Sequence, residues 1–157
     1  GLIKNFFDLA AYNYHRPSFF EKKALVISST AGGAAKSACK YMQDTLKHWG
    51  FNRVYTLPAI RMGATELSEK HKNRCVKMAD KFLDNVLSCK LYNPSYKHVF
   101  YFQLWKTMGI KTPDNADGKY WKESGLSKHF YSPKVKMGYP KKLFGKMVSG
   151  MFQKVIK

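Results

Sequence analysis

The strongest structural signal in this chain is the stretch Ala24-Leu25-Val26-Ile27-Ser28-Ser29-Thr30-Ala31-Gly32-Gly33. Residues 24–29 form a continuous apolar run that becomes polar at its end, which is typical of a parallel strand buried on both faces. The small residues that follow predict a tight turn. A helix is then predicted from about Ala35 to Trp49, with Gly50 in the position of a C-terminal glycine cap.

The rest of the chain predicts further helices and a second strand. Apolar residues at helical spacing predict helices over residues 2–14, 65–87, 96–108 and 141–156, a short strand over 53–57, and a loop-rich stretch over 110–140. In the helix over 2–14, the inner face is predicted to carry Leu2, Phe6 and Leu9 with Tyr12 or Asn13. In the helix over 65–87, it is predicted to carry Met78, Phe82, Val86 and Leu87. In the helix over 141–156, it is predicted to carry Phe144, Met147, Val148, Met151 and Val155. Since strands alternate with helices, the fold class is predicted to be α/β with a parallel sheet.

Two parallel strands cannot bury both faces of a stable sheet by themselves. The chain also begins at Gly1, inside an amphipathic helical pattern. We therefore expect that the N-terminal strands of the domain are absent from this chain, or that another chain supplies them. Residues 1–90 are predicted to be the C-terminal half of an α/β domain, and residues 91–157 a basic, aromatic-rich helical extension.

The composition is that of a folded, strongly basic protein. Apolar residues make up 45% of the chain, which argues against disorder, and 28 Lys and Arg against 10 Asp and Glu give a net charge of +18. Such an excess favours polyanionic partners, although a lysine-rich solvated surface is the alternative. Three cysteines without CxxC spacing suggest a reduced cytoplasmic protein, and no apolar run is long enough to span a membrane.

No catalytic side chain and no metal site are predicted. The five histidines are scattered along the chain without metal-ligand spacing, and no phosphate-binding loop or Ser/His/Asp pattern is present.

The glycine turn is the best candidate for a ligand site. At the carboxyl end of a parallel strand, such a turn exposes backbone N–H groups and allows a planar ligand to approach closely. The N-terminus of the following helix favours negative charge. The alternative is that the segment is only a turn.

Several segments in a fixed order carry a resemblance to a known family. They are Gly1-Leu2-Ile3-Lys4-Asn5-Phe6-Phe7-Asp8, His15-Arg16-Pro17, Phe19-Phe20-Glu21-Lys22-Lys23, the strand ending in Ser29-Thr30-Ala31-Gly32-Gly33, and His48-Trp49-Gly50-Phe51. Together they resemble the NAD(P)H-dependent FMN reductases of the flavodoxin-like superfamily, over roughly residues 1–89. The resemblance implies a flavodoxin-like three-layer sandwich, a homodimer, and a flavin ring bordered by Ser29, Thr30, Ala31, Gly32 and Gly33.

Two departures from the family pattern limit this resemblance. Leu9 stands where the family commonly has an arginine, and the family's phosphate-binding loop, which follows its first strand, is not in this sequence. The implied function is a flavin-dependent oxidoreductase in which NAD(P)H passes hydride to bound FMN, which then reduces an acceptor. Because the cofactor performs the redox step, no protein acid or base is required.

The alternative function is a non-enzymatic α/β interaction module. Its basic tail, residues 141–157, would bind a membrane surface or a protein partner, because lysines there alternate with Met, Phe and Val. The tail could also simply pack on the α/β domain or on a dimer partner. Nucleic acid is the least favoured partner, since the lysines form no recognisable motif.

Overall fold

The computed structural model describes residues 1–61 and 66–156. The described residues form six α-helices, two short 3-10 helices and two strands. These are α1 (Leu2–Leu9), a 3-10 helix (Ala11–Tyr14), β1 (Lys23–Thr30), α2 (Ala35–His48), β2 (Arg53–Ile60), α3 (Glu69–Leu87), α4 (Tyr96–Lys111), α5 (Ala116–Glu123), a second 3-10 helix (Leu126–Lys128) and α6 (Tyr139–Val155). The predicted start of the third helix near Thr65, and the last residue of the predicted tail, lie outside the described residues.

The two strands pair in parallel, as predicted. Lys23 lies opposite Arg53 at one end of the pair and Thr30 lies opposite Ile60 at the other. The fold class is therefore mixed α/β, and the sheet of the described residues has two strands and is not closed.

Helices cover both faces of the strand pair. On one face, Val54 of β2 packs with Val26 and with Cys39 of α2 in a buried apolar cluster. On the other face, the ring of Tyr55 meets Phe82 of α3 at 6.0 Å. Because successive strand residues point to opposite faces, these contacts place α2 and α3 on opposite sides of the sheet. The cover on the α3 side is incomplete, since Ile27 of β1 is 59% exposed.

Gly50 ends α2 in the way predicted for a glycine cap. Its φ is +100°, and a Cβ there would lie 3.1 Å from the Phe20 ring, so both the backbone conformation and the space favour glycine. The preceding residue, Trp49, is buried, and its ring contacts Phe7 at 5.3 Å. This contact anchors α1 against α2.

The predicted inner face of the first helix is wrong. Leu2 and Leu9 are 89% and 83% exposed and Phe6 and Tyr12 are largely exposed, whereas Phe7 is buried. The α-helix ends at Leu9 and a 3-10 helix follows, so the 3.6-residue period does not extend over residues 2–14. Tyr12 and Asn13 are the alternatives for the last residue of this inner face, and Asn13 is the buried one.

The stretch 110–140, predicted to be loop-rich, contains α5 and the second 3-10 helix. Asn115 caps α5 by accepting the N–H of Gly118 at 2.8 Å. The helix buries Trp121, whose ring packs edge-on against Phe102 of α4 and whose Nε1 donates to the carbonyl of His15 at 3.1 Å. Burial of this one indole orders the short helix.

The same region attaches the C-terminal helices to the α/β part of the chain. The carboxylate of Asp117 lies 2.9 Å from His15 Nδ1 and 2.7 Å from Arg16 Nε, and the Tyr120 hydroxyl donates to the carbonyl of Pro17. Phe20 shares a buried cluster with Phe102 and Trp121. Residues 15–20 are therefore the surface on which the C-terminal region packs.

The predicted inner faces of α3 and α6 are only partly correct. Phe82 packs on the sheet, but Val86 and Leu87 of α3 are exposed. In α6 the buried residues are Gly145, Val148, Ser149 and Phe152, whereas Met147, Met151 and Val155 are exposed. Small residues explain this choice of face, because a Cβ at Gly145 would lie 3.2 Å from Val99 of α4.

Within the described part of the chain, no helix combines the length and the apolar character that crossing a membrane requires.

Two glycine substitutions test the packing of α5. Gly109→Ala, in α4, places a Cβ 2.1 Å from the Trp121 ring, so we expect the free energy of unfolding to fall by about 1–3 kcal/mol. Gly150→Ala, in α6, meets nothing within 4 Å and should raise it by up to about 1 kcal/mol through helix propensity. Urea unfolding of both variants measures the difference, and equal effects would contradict the packing of Trp121 against α4.

Candidate functional site

The turn predicted to border a ligand lies at the carboxyl end of β1 and is open to solvent. Ser29, Ala31, Gly32 and Gly33 are exposed and Thr30 is half-buried. The Thr30 hydroxyl accepts the N–H of Gly32 at 3.1 Å, which closes a short side-chain turn. The predicted residues are thus brought together on one exposed loop.

The two glycines of this loop are not needed for its backbone conformation. Neither has a positive φ, and a Cβ added to either would meet nothing within 4 Å. The residue with left-handed geometry is Ala34, at φ 68°. Gly32 and Gly33 therefore leave free space above the loop, which is what close approach by a flat ligand requires.

The loop leads directly into the N-terminus of α2. Ala34 caps this helix and offers no side-chain acceptor, so no side chain in the described chain satisfies the first N–H groups of α2. Backbone donors and the positive end of the helix dipole consequently meet beside the open loop. This arrangement suits an electron-rich carbonyl or an anion.

A second candidate site lies at the other end of the sheet. A cleft of about 480 Å³ separates the edge of β2 from α4. Four consecutive residues of β2, Arg53 to Thr56, line it, so it is the strand edge and not one face that meets the cleft. The lining from other elements includes Lys47 and His48 of α2, Lys81 of α3, Tyr92, and Lys97, His98, Tyr101 and Trp105 of α4.

Asn52 forms one wall of the cleft together with Tyr92. The Asn52 side chain donates from Nδ2 to the Tyr92 carbonyl at 3.0 Å and accepts the Tyr92 N–H at 2.8 Å. One side chain therefore pairs both backbone groups of Tyr92. These two hydrogen bonds hold the segment after α3 beside the start of β2.

The cleft is electropositive. Burial lowers the pKa of Lys47, and the neighbouring charges of Lys97 and Arg53 act in the same direction. The carboxylate that lines the cleft, Asp44, lies 2.8 Å from Lys40 and 3.9 Å from Lys97. Asp44 also interacts with Lys47 and acts to raise its pKa, so one carboxylate among the lining residues serves several lysines.

His98 lines the cleft, and its pKa is strongly shifted. Its Nδ1 accepts the backbone N–H of Ser95 at 3.3 Å, as half of the capping box that starts α4. Burial lowers the pKa of His98 to about 4, and the charges of Lys47, His48 and Lys97 add to this effect. The imidazole is therefore neutral at pH 7, with its proton on Nε2.

The described residues contain no cluster of three or more His, Cys, Asp or Glu able to hold a metal ion. Cys39, Cys75 and Cys89 are free thiols.

Sequence reasoning did not find the cleft. Its lining residues run from Pro17 to Tyr131, and the packing of α4 against residues 15–20 brings them together. The available signal was general: an excess of lysine interleaved with aromatic residues.

The low pKa of His98 has a consequence for stability. The His98 imidazole binds a proton near pH 6.5 in the unfolded chain but only near pH 4 in the folded chain. Its contribution to stability is therefore present above pH 6.5 and is lost as the pH falls toward 4. We expect it to account for about 2 kcal/mol of the loss in unfolding free energy between pH 7 and pH 5.

Urea unfolding at both pH values measures this loss. The matched variant is His98→Gln, because glutamine in the same position can keep the capping box but does not titrate. Its loss of stability between pH 7 and pH 5 should be smaller than that of the parent protein by about 2 kcal/mol. An identical pH dependence in the two proteins would contradict the assignment.

Comparison of the chain with protein-family models, with curated proteins and with solved structures gave no match in any of the three.

Proposed function

We propose that the chain is part of a flavodoxin-like NAD(P)H:FMN oxidoreductase and that residues 29–33 border the flavin ring. The observation that carries the proposal is the free space above Gly32 and Gly33, at the carboxyl end of a parallel strand. Ligands of open α/β sheets bind at this end of the strands.

Helix packing around the sheet supports the same proposal. The described strands carry α2 on one face and α3 on the other, with α1 packed beside α2 through Phe7 and Trp49. In a flavodoxin-like sheet, further strands lie beside the strand that corresponds to β1. Such strands and their helices would cover the exposed side chain of Ile27. The proposed assembly is a homodimer, as the family resemblance implies.

The described residues fit a flavin ring better than a whole FMN molecule. The open loop and the free N–H groups at the start of α2 suit the ring and its carbonyl oxygens. The FMN phosphate requires donors beyond this loop. When bound, FMN would supply the hydride-accepting ring; the role of residues 29–33 is to orient that ring and to donate backbone hydrogen bonds to it.

Larger side chains at Gly32 and Gly33 test this proposal. In the full-length protein, the double substitution Gly32→Val and Gly33→Val should leave stability nearly unchanged, because both positions are open, yet lower FMN affinity by about tenfold or more. Quenching of flavin fluorescence measures the affinity. The matched control is Gly150→Val, at an open position of α6.

Two results would contradict the flavin proposal. One is a parent protein that is colourless after purification and does not take up added FMN. The other is equal FMN affinity in the double variant and the parent.

A second proposed function concerns α6 and rests on the exposed face of this helix. Leu143, Met147 and Val155 are 59%, 64% and 71% exposed, although α6 packs on α4. The exposed lysines 142, 146 and 154 accompany them, and the helix sequence contains no acidic residue. Apolar and cationic side chains on one exposed face suit an anionic lipid surface, where the former enter the interface and the latter meet the headgroups.

Charge removal tests the membrane proposal. Replacing Lys142, Lys146 and Lys154 by Gln should lower binding to mixed phosphatidylcholine and phosphatidylserine vesicles by about 100-fold, at roughly 1 kcal/mol per lysine. Co-sedimentation measures the binding. The matched control replaces Lys119, Lys122 and Lys128, which are exposed but lie outside α6. Equal losses of vesicle binding in the two triple variants would contradict a specific role of α6. Binding of the parent protein to uncharged vesicles as strong as to charged ones would do the same. Either result would leave a protein as the partner of the exposed face of α6.

A further inference from the structure

The cleft between β2 and α4 lies apart from the proposed flavin loop. It is lined by the first part of β2 and the last turn of α2, whereas residues 29–33 lie at the carboxyl end of β1. Because β1 and β2 are parallel, the two places are at opposite ends of the sheet. A ligand in the cleft would therefore not share the flavin site.

The hydrogen-bonding groups of the cleft are unbalanced. His98 Nε2 and Trp105 Nε1 are both buried, and neither has a hydrogen-bond partner among the described residues. Both are donors, the first because Nδ1 of the neutral imidazole already accepts from Ser95 and the second because an indole N–H can only donate. A buried donor without an acceptor is costly, and both donors belong to residues that line the cleft.

The charges of the cleft favour a ligand that carries negative charge. Lys47, Arg53, Lys81 and Lys97 line it, against the single carboxylate of Asp44. Arg53 is exposed and its guanidinium lies 5.0 Å from the centre of the Tyr92 ring, and Lys97 lies over Tyr101 at 5.9 Å. Aromatic contacts thus hold two of the cations at the cleft, and Lys97 also lies 3.9 Å from the carboxylate of Asp44.

The size and the walls of the cleft set the class of ligand. A volume of about 480 Å³ exceeds what a single phosphate fills and lies in the range of small-molecule sites. Tyr92, Tyr101 and Trp105 supply aromatic surface, and Trp105 is held by stacking on His15 at 4.2 Å. We propose that this cleft binds a phosphorylated small molecule of nucleotide size, with its phosphate near Arg53, Lys47 and Lys97.

Calorimetric titration of the full-length protein with ADP, inorganic phosphate and adenosine tests the proposal. We expect ADP to bind, and adenosine, which lacks the phosphate, to bind at least about tenfold more weakly. Stronger binding of ADP than of phosphate would support a ligand of nucleotide size, whereas phosphate affinity equal to that of ADP would show that the free anion is the ligand and overturn the proposal. Failure of ADP and phosphate to bind at about 1 mM, or adenosine binding as tightly as ADP, would overturn it.

Matched charge variants separate a site from general attraction to a basic protein. Arg53→Gln with Lys97→Gln, both exposed at the cleft, should weaken ADP binding by about tenfold or more. Lys119→Gln with Lys122→Gln removes the same charge from α5 and should leave the affinity nearly unchanged. Equal weakening in the two double variants would overturn the proposal.

The flavin and cleft proposals fail independently. ADP binding should survive Gly32→Val with Gly33→Val, and FMN binding should survive Arg53→Gln with Lys97→Gln. Loss of ADP binding in the glycine variant would place ADP at the flavin loop and overturn the cleft as its site.

Discussion

The packing of one indole ring joins the two parts of this chain. Trp121 is fully buried between α4 and residues 15–20, with its ring against Phe102 and its Nε1 bonded to the His15 carbonyl. The Asp117 carboxylate reaches His15 and Arg16 from the same short helix. This packing sets α4 beside the strand pair. The buried cluster of Phe20, Phe102 and Trp121 and the cleft therefore both depend on it.

Local patterns predicted the α/β part of the fold better than the C-terminal part. The apolar run over 24–29 and the glycine after Trp49 are local signals, and the structure has β1 and the α2 cap at these places. The short helix α5 carries weak local signals between two prolines, and the burial of Trp121 stabilises it through residues more than a hundred positions away. The inner face of α6 includes Gly145 and Ser149; the small size of Gly145 allows close contact with α4 but carries no hydropathy signal.

The two candidate sites differ in how far a sequence can reveal them. Ser29, Thr30, Ala31, Gly32 and Gly33 are contiguous, so their common location follows from chain order alone. The cleft is built from α2, β2, α3, residue 92 and α4, and its cations come together only after the helices pack. A charge excess predicts an anionic partner, but it does not locate the surface that would bind one.

The paired bonds between Asn52 and Tyr92 bear on how the sheet can grow. A side-chain amide presents a donor and an acceptor in the same geometry as a peptide group, so Asn52 satisfies residue 92 as a neighbouring strand would. Beside the start of β2, the chain thus substitutes one side chain for a further strand. In the described residues, no strand pairs with the other edge of β1. A further strand could therefore pair along β1, whereas at the start of β2 Asn52 already occupies the hydrogen-bonding groups of the adjacent segment.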